Sequence, residues 1–296
     1  MFFEGTEKKL KLTVSEPSVS LRTLGFDFWQ LVVNRANAEI ISVISNDHCD
    51  AYILSESSLF VWDKEVLMIT CGRTILINSI QALIDELGVK AFDSLIYQRK
   101  NEISPELQKT TFQQDVEVLQ KQLSGSFYRI QTVDSHCHHL FVHNPNKQFQ
   151  CFELLMYDID TKAICNLTET NVDKRFIRKL LEIDVLFKDY LIDDYLFSPF
   201  GYSINGIKGG EYFTIHVTPQ VPNSFVTLET NLSDTERYQQ IVQNLLVNLN
   251  PKFWDSIFIN TNLPHTYFTL SKHTIAEITS ENGIDVKYLH YQATEK

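Results

Sequence analysis

Cysteine is scarce in this chain. Five occur among 296 residues, at Cys49, Cys71, Cys137, Cys151 and Cys165, and their spacing is irregular. That excludes a disulfide scaffold, leaves at least one thiol free and fits a reducing compartment. Basic residues are also short, 26 against 37 acidic ones, for a formal charge of -11. Such a surface repels a phosphate backbone, which argues against a nucleic-acid binder and is compatible with a cationic small substrate. No window approaches 18 uninterrupted apolar residues, and the opening Met1-Phe2-Phe3-Glu4-Gly5-Thr6-Glu7-Lys8-Lys9 has no basic stretch followed by a long apolar one. A cytoplasmic protein without a membrane span is therefore expected. There is no Pro/Gly/Ser-rich linker, low-complexity tract or block of like charge to mark a hinge or tail. With 44% hydrophobic and 21% charged residues, the chain can bury a large core, as two domains or as one duplicated domain.

Short runs rich in Ile, Val, Leu, Phe and Tyr at 38–43, 51–54, 59–62 and 66–70, with Asn46-Asp47 and Asp63-Lys64 as turn signals, predict a meander of antiparallel strands. Leu76, Ile80, Leu83, Ile84 and Leu87 then form a helical stripe ending at Gly88. The order recurs later: strands at 212–217 and 224–229, a capping box at Ser233-Asp234-Thr235-Glu236, and a stripe of Tyr238, Ile241, Leu245 and Leu249. Further helices are predicted at 113–123 and 173–182. The pattern predicts an α+β protein of two related halves, each an antiparallel sheet with helices over one face. Helices outside and sheets face to face would give a four-layer sandwich.

The most informative segment is Tyr52-Ile53-Leu54-Ser55-Glu56-Ser57-Ser58-Leu59-Phe60, a polar cluster between two apolar strands. Taken alone it is a hairpin turn. It is joined by Phe2-Phe3-Glu4-Gly5-Thr6-Glu7, by Thr70-Cys71-Gly72, and by Gly201-Tyr202-Ser203-Ile204-Asn205-Gly206. Tyr212-Phe213-Thr214-Ile215-His216-Val217-Thr218-Pro219 and Leu228-Glu229-Thr230-Asn231 complete the set. In order and spacing it resembles the eukaryotic-type S-adenosylmethionine decarboxylases, whose pattern runs FFEGTEK, LSESS, TCGTT, GYSMNG, TIHxTPE and FETN. The resemblance covers residue 2 to about residue 232. It implies a single domain over 1–296, a four-layer αββα sandwich of two eight-stranded sheets.

The chemistry implied by the resemblance begins with self-cleavage at Glu56-Ser57. The serine hydroxyl attacks the preceding carbonyl, the ester undergoes β-elimination, and Ser57 becomes a pyruvoyl group at the head of an α chain of residues 57–296, leaving a β chain of 1–56. A serine hydroxyl is a weak nucleophile, so the step needs a strained peptide, a proton acceptor and a stabilised oxyanion. By resemblance Ser203, His216 and Glu7 serve processing, and Glu4 is an active-site carboxylate. The substrate amine condenses with the pyruvoyl ketone, which takes up the electrons released with carbon dioxide without an external cofactor. Cys71 then protonates the α-carbon. Phe3 and Phe197 match the residues that stack on adenine, and the backbone around Leu54 and Glu56 matches the adenine-edge contacts. The resemblance implies S-adenosylmethionine as substrate, the aminopropyl donor for spermidine synthesis as product, and an enzyme of β and α chains, alone or as a homodimer of that pair.

Four departures stand out. Gln220 occupies the position of the ribose-binding glutamate, and an amide cannot make a carboxylate's bidentate pair with two vicinal hydroxyls. Phe200 stands for a smaller residue before GYS, and Arg73 for the first threonine after TCG. Together they motivate an alternative, a pyruvoyl-dependent decarboxylase of ornithine or arginine. Lys11 stands where animal members have a glutamate in a putrescine-activation site, and the fixed cation implies activity without diamine. A regulatory, non-catalytic paralogue is the third reading, opposed by the retained Ser57, Cys71, Ser203 and His216. Asp134-Ser135-His136-Cys137-His138-His139 with His143 offers metal-ligand types, but in a strand His136 and His138 share one face while Cys137 and His139 share the other. No metal is expected there.

Overall fold

The computed structural model describes the chain apart from residues 1–6, 16–19, 101, 132–135, 145–148, 169–171, 199, 221, 262–270, 280–282 and 294–296. It divides into two compact units, Met1–Asn146 and Lys147–Lys296. In the first, β1 (Lys8–Val14) leads to α1 (Gly25–Arg35). Four consecutive strands follow, β2 (Ile40–Ser45), β3 (Asp50–Leu54), β4 (Ser57–Val61) and β5 (Glu65–Thr70). The unit continues through α2 (Leu76–Leu87), β6 (Phe92–Arg99), α3 (Phe112–Gln120), β7 (Ser126–Gln131) and β8 (Cys137–His143). The eight strands form one antiparallel sheet in the order β2-β3-β4-β5-β1-β6-β8-β7.

The second unit repeats this plan. Strand β9 (Cys151–Tyr157) precedes α4 (Thr161–Thr168), α5 (Lys174–Leu180) and α6 (Ile183–Leu186). Then come β10 (Leu191–Leu196), β11 (Tyr202–Lys208), β12 (Glu211–Thr218) and β13 (Phe225–Thr230). Helix α7 (Thr235–Leu249), β14 (Phe253–Ile259), β15 (Ser271–Thr279) and β16 (Asp285–Ala293) complete it. Its sheet runs β10-β11-β12-β13-β9-β14-β16-β15, the first order with eight added to each number. The two related halves read from the sequence are therefore present as a strand-for-strand duplication, and the protein is α+β with two eight-stranded antiparallel sheets.

Each sheet buries one face under its helices. In the first unit Leu10, Leu12, Leu59, Met68 and Leu95 meet Trp29 and Val33 of α1, Ile80 and Leu83 of α2, and Leu119 of α3. In the second, Leu154, Ile204, Phe213, Ile215 and Leu228 meet Ile177 of α5 and Tyr238, Ile241 and Leu245 of α7. Burial of each such side chain contributes on the order of 1.5–3 kcal/mol. Alternation then sends the intervening polar residues to the other face, where Ser203, Asn205, Thr214, His216, Thr227 and Glu229 are all buried.

The 76–87 helix with Gly88 behind it is found as expected, Gly88 having φ +79 where a side chain would be strained. Helix ends differ elsewhere. Asp234 caps α7, its carboxylate accepting from Arg237 N, so the cap lies one residue beyond the predicted Ser233. The 113–123 helix runs over Phe112–Gln120 under a Thr111–Gln114 capping box, and the 173–182 helix over Lys174–Leu180 with Asp173 as cap. No helix among the described residues is long and apolar enough to cross a membrane.

Candidate active site

Strands β3 and β4 are joined by two residues, Ser55 and Glu56, with Leu54 paired to Ser57 across the hairpin. Two-residue turns favour Gly and Asn because they need positive φ. Here the demand falls on Ser57, at φ +132, a conformation that strains an L side chain. Ser57 is also 2% exposed. The surrounding hydrogen bonds hold the turn: Ser55 N–H donates to the Glu39 carbonyl at 2.8 Å, and Glu39 N–H to Ser55 Oγ at 3.0 Å.

The carbonyl of Glu56, which ends the Glu56–Ser57 peptide, faces Cys71. The Cys71 backbone N–H donates to it at 2.9 Å and the thiol Sγ lies 3.3 Å away, in donor range for sulfur. Pairing puts Cys71 there, since Ser57 lies opposite Thr70 and Cys71 is the next residue. Gly72 at φ +63 turns the chain away, and Thr74 Oγ1 donates to the Cys71 carbonyl at 2.8 Å. The same register row continues from Thr70 to Lys8 and Arg99.

Lys8 is a site residue that the sequence reading passed over, although it belongs to the FFEGTEK segment. Its Nζ donates to the Gly72 carbonyl at 3.1 Å in a buried position. Burial, reinforced by Arg99, lowers its pKa to about 8. The half-buried Glu56 carboxyl, 4.0 Å from the Cys71 thiol, is pushed up to about 7 by burial while Lys8 pulls it down. Glu7, 2% exposed, pairs with the buried Lys100 ammonium at 2.8 Å, which ties the start of β1 to the end of β6. Leu54 is fully buried in the helix-side core, so only its backbone can meet a ligand.

In the second unit Ser203 and His216 are directly opposed on β11 and β12, and Thr227 on β13 continues their row. His216 Nε2 lies 2.9 Å from Thr214 Oγ1, and Thr214 donates to Asn205 Oδ1 at 2.8 Å. Sequence reasoning missed Asn205 and Thr214; the detectable signal was the alternation of polar residues along β11 and β12. The glycines beside them have steric causes. Gly201 takes φ +135, and a Cβ on Gly206 would come within 2.0 Å of the Phe213 ring. The turn before β11 is closed by Phe197 N–H donating to the Gly201 carbonyl at 2.8 Å, and half-buried Phe197 meets Tyr195 edge-on at 4.8 Å.

The other sequence candidates fall as follows. Phe3 and Glu4 lie outside the described residues. Gln220 follows the end of β12 and is partly exposed, while Arg73 and Phe200 are exposed, Phe200 by 53%. Lys11 is buried, ion-paired with Glu65 and 4.4 Å above the Trp62 ring. In the histidine-rich segment Cys137 Sγ and His139 Nε2 approach to 3.6 Å on one face, as alternation requires, and Arg129 Nε donates to that sulfur at 3.2 Å. Asp134 and Ser135 lie outside the described residues.

Comparison with known proteins sets these geometries in a lineage. The family model for adenosylmethionine decarboxylase matches residues 1–296. S-adenosylmethionine decarboxylase proenzyme of Dictyostelium discoideum is 32% identical, with 99% of this chain and 86% of that protein aligned. The proenzyme of Xenopus laevis is also 32% identical, over 88% of this chain and 84% of its own. Among solved structures, the Trypanosoma brucei AdoMetDC-delta26 monomer superposes with a TM-score of 0.64 at 20% identity, covering 80% of this chain and 99% of that one, a likeness of fold. The chain belongs to the adenosylmethionine decarboxylase family.

Proposed function

We propose that the chain is a proenzyme that cleaves itself between Glu56 and Ser57, converts Ser57 to a pyruvoyl group, and decarboxylates S-adenosylmethionine to the aminopropyl donor for spermidine synthesis. One observation carries this reading: the Glu56 carbonyl accepts from Cys71 N–H at 2.9 Å with the thiol at 3.3 Å, and the serine that follows is strained at φ +132.

The residues fit the making of that group. Ser57 Oγ adds to the Glu56 carbonyl carbon, and the negative charge that develops on oxygen falls where Cys71 already points two donors. Cleavage of the C–N bond gives an ester on Oγ and releases the backbone strain at Ser57. Loss of the Ser57 α-proton expels the Glu56 carboxylate as the end of a 1–56 chain. Hydrolysis of the remaining enamine, with loss of ammonia, leaves a ketone at the head of a 57–296 chain. Ser203 and His216 are assigned to these proton transfers on their motif positions and their direct opposition on β11 and β12. Glu7, held by Lys100, is assigned to efficient processing.

In the mature protein the pyruvoyl ketone supplies an electron sink for loss of carbon dioxide from an amine-bearing substrate. Cys71 delivers a proton to the α-carbon, a task that, like hydrogen-bonding the Glu56 carbonyl, requires the thiol rather than the thiolate. Phe3 and Phe197 stack the adenine, each such stack contributing about 1–3 kcal/mol. The backbone at Leu54 and Glu56 meets the adenine edge, Glu4 supplies an active-site carboxylate, and Gln220 contacts the ribose. The β and α chains of one precursor form the working enzyme.

Gln220 favours a second reading, in which the substrate is ornithine or arginine. Fully processed protein supplied with carboxyl-labelled S-adenosylmethionine, ornithine or arginine separates the two. Labelled carbon dioxide is expected from S-adenosylmethionine alone, and release from either amino acid instead overturns the nucleoside assignment. If the nucleoside is bound, Gln220→Glu is expected to lower KM about fivefold, because a hydrogen bond to a charged group exceeds a neutral one by ~1 kcal/mol.

A further inference from the structure

Thr214 sits at the junction of two hydrogen bonds, and its single hydroxyl proton can serve only one of them. The hydroxyl donates to Asn205 Oδ1 at 2.8 Å, while His216 Nε2 lies 2.9 Å from Thr214 Oγ1 itself. The second bond must then run from Nε2–H to Thr214 Oγ1. A neutral imidazole has one N–H, so its lone pair is on Nδ1. Thr227 Oγ1, 3.5 Å from Nδ1, faces that lone pair with a hydroxyl able to donate to it.

We infer that Asn205 and Thr214 are positioning residues that hold neutral His216 as its Nε2–H tautomer and so make Nδ1 its basic atom. The inference rests on the assignment of His216 to self-cleavage. Strand register supports it: Asn205 and Thr214 are direct partners across β11 and β12, Thr214 and His216 share one face of β12, and Thr227 is the direct partner of His216 on β13. These side chains are buried, Asn205 at 0%, Thr214 at 1% and Thr227 at 2% exposure. In such surroundings the opposite tautomer would forfeit a buried hydrogen bond. A proton taken up at Nδ1 leaves the Nε2–H···Thr214–H···Asn205 chain intact. A third group thereby fixes which nitrogen of a histidine acts as base, as in hydrolase triads.

The test uses the full-length Ser57→Ala precursor with 15N-labelled histidine, in which two-bond proton–nitrogen correlations report the tautomer and His216→Gln identifies the signal. Nε2 is expected to be the protonated nitrogen and Nδ1 the unprotonated one. In Asn205→Ala the Thr214 hydroxyl is released to donate to Nε2, so the Nδ1–H tautomer should appear. In the cleavage-competent chain Thr214→Val should slow cleavage by roughly tenfold to a hundredfold, by analogy with the loss when a partner that orients a metal-bound histidine is removed, and Thr214→Ser should restore most of the rate. An Nδ1–H tautomer in the parent precursor overturns the inference, since Asn205 would then be donating to Thr214. Wild-type cleavage by Thr214→Val beside slow cleavage by His216→Ala overturns the positioning role alone. Wild-type cleavage by His216→Ala overturns the assignment of His216 itself.

Discussion

Cys71 meets the Glu56 carbonyl through two atoms, and substitution separates them. Alanine keeps the backbone N–H at 2.9 Å from the Glu56 carbonyl and removes the thiol at 3.3 Å. Because a thiol is a weak donor, Cys71→Ala is expected to slow cleavage by roughly tenfold to a hundredfold, below the loss typical of a strong oxyanion donor. Once cleaved, the variant should turn over slowly and inactivate, with the α-chain N-terminus aminated through protonation at the wrong carbon. A time course on gels followed by mass analysis of that chain measures both, and normal turnover without inactivation would reduce Cys71 to a packing residue. Glu56 adds a pH dependence. Burial raises its carboxyl from 4.5 to about 7, so between those values the folded chain retains a proton that the unfolded chain releases. Stability must then fall as pH rises through that window. In the Ser57→Ala background, chemical denaturation should show this fall reduced by Glu56→Gln, and an unchanged profile would mean that the carboxyl is not desolvated.

The β3–β4 hairpin stores its strain at the residue proposed to react. A positive φ at a residue with a side chain costs on the order of 1–3 kcal/mol, and glycine is free of most of it. Neither Ser57→Gly nor Ser57→Ala can cleave. The glycine precursor should nevertheless be the more stable by about 1 kcal/mol in urea denaturation; equal stability would argue that the turn is relaxed. This hairpin was legible in the sequence because a polar cluster interrupts two apolar runs, and β2 to β5 were found for the same reason. Strand β1 was not, although Leu10, Leu12 and Val14 alternate with Lys9, Lys11 and Thr13, because a lysine-rich face reads as solvated and here is buried. Helix α7 was legible, but Ser233 and Asp234 are both good caps and only the fold selects between them. At the site, motif order singled out Ser57, Cys71, Ser203 and His216. Asn205 and Thr214 showed only as alternating polar residues and Lys8 only as part of the opening motif, because the part each plays depends on cross-strand register.

Over the whole molecule the duplicated topology places the candidate site residues on corresponding hairpins. The β3–β4 hairpin carries the Glu56–Ser57 turn, and its counterpart β11–β12 carries Ser203, Asn205, Thr214 and His216. The repeat supplies two corresponding hairpins and uses them differently, with a strained peptide beside the turn of one and a hydrogen-bonded histidine along the strands of the other. Whether this chain makes its own pyruvoyl group from Ser57 is decided by intact-mass analysis of freshly purified, then incubated, protein. Two chains are predicted, residues 1–56 and 57–296, the larger resisting amino-terminal sequencing and having the mass of a pyruvoyl terminus, while Ser57→Ala remains whole. A single full-length wild-type chain after prolonged incubation, or a cut that leaves an intact serine at position 57, would contradict it.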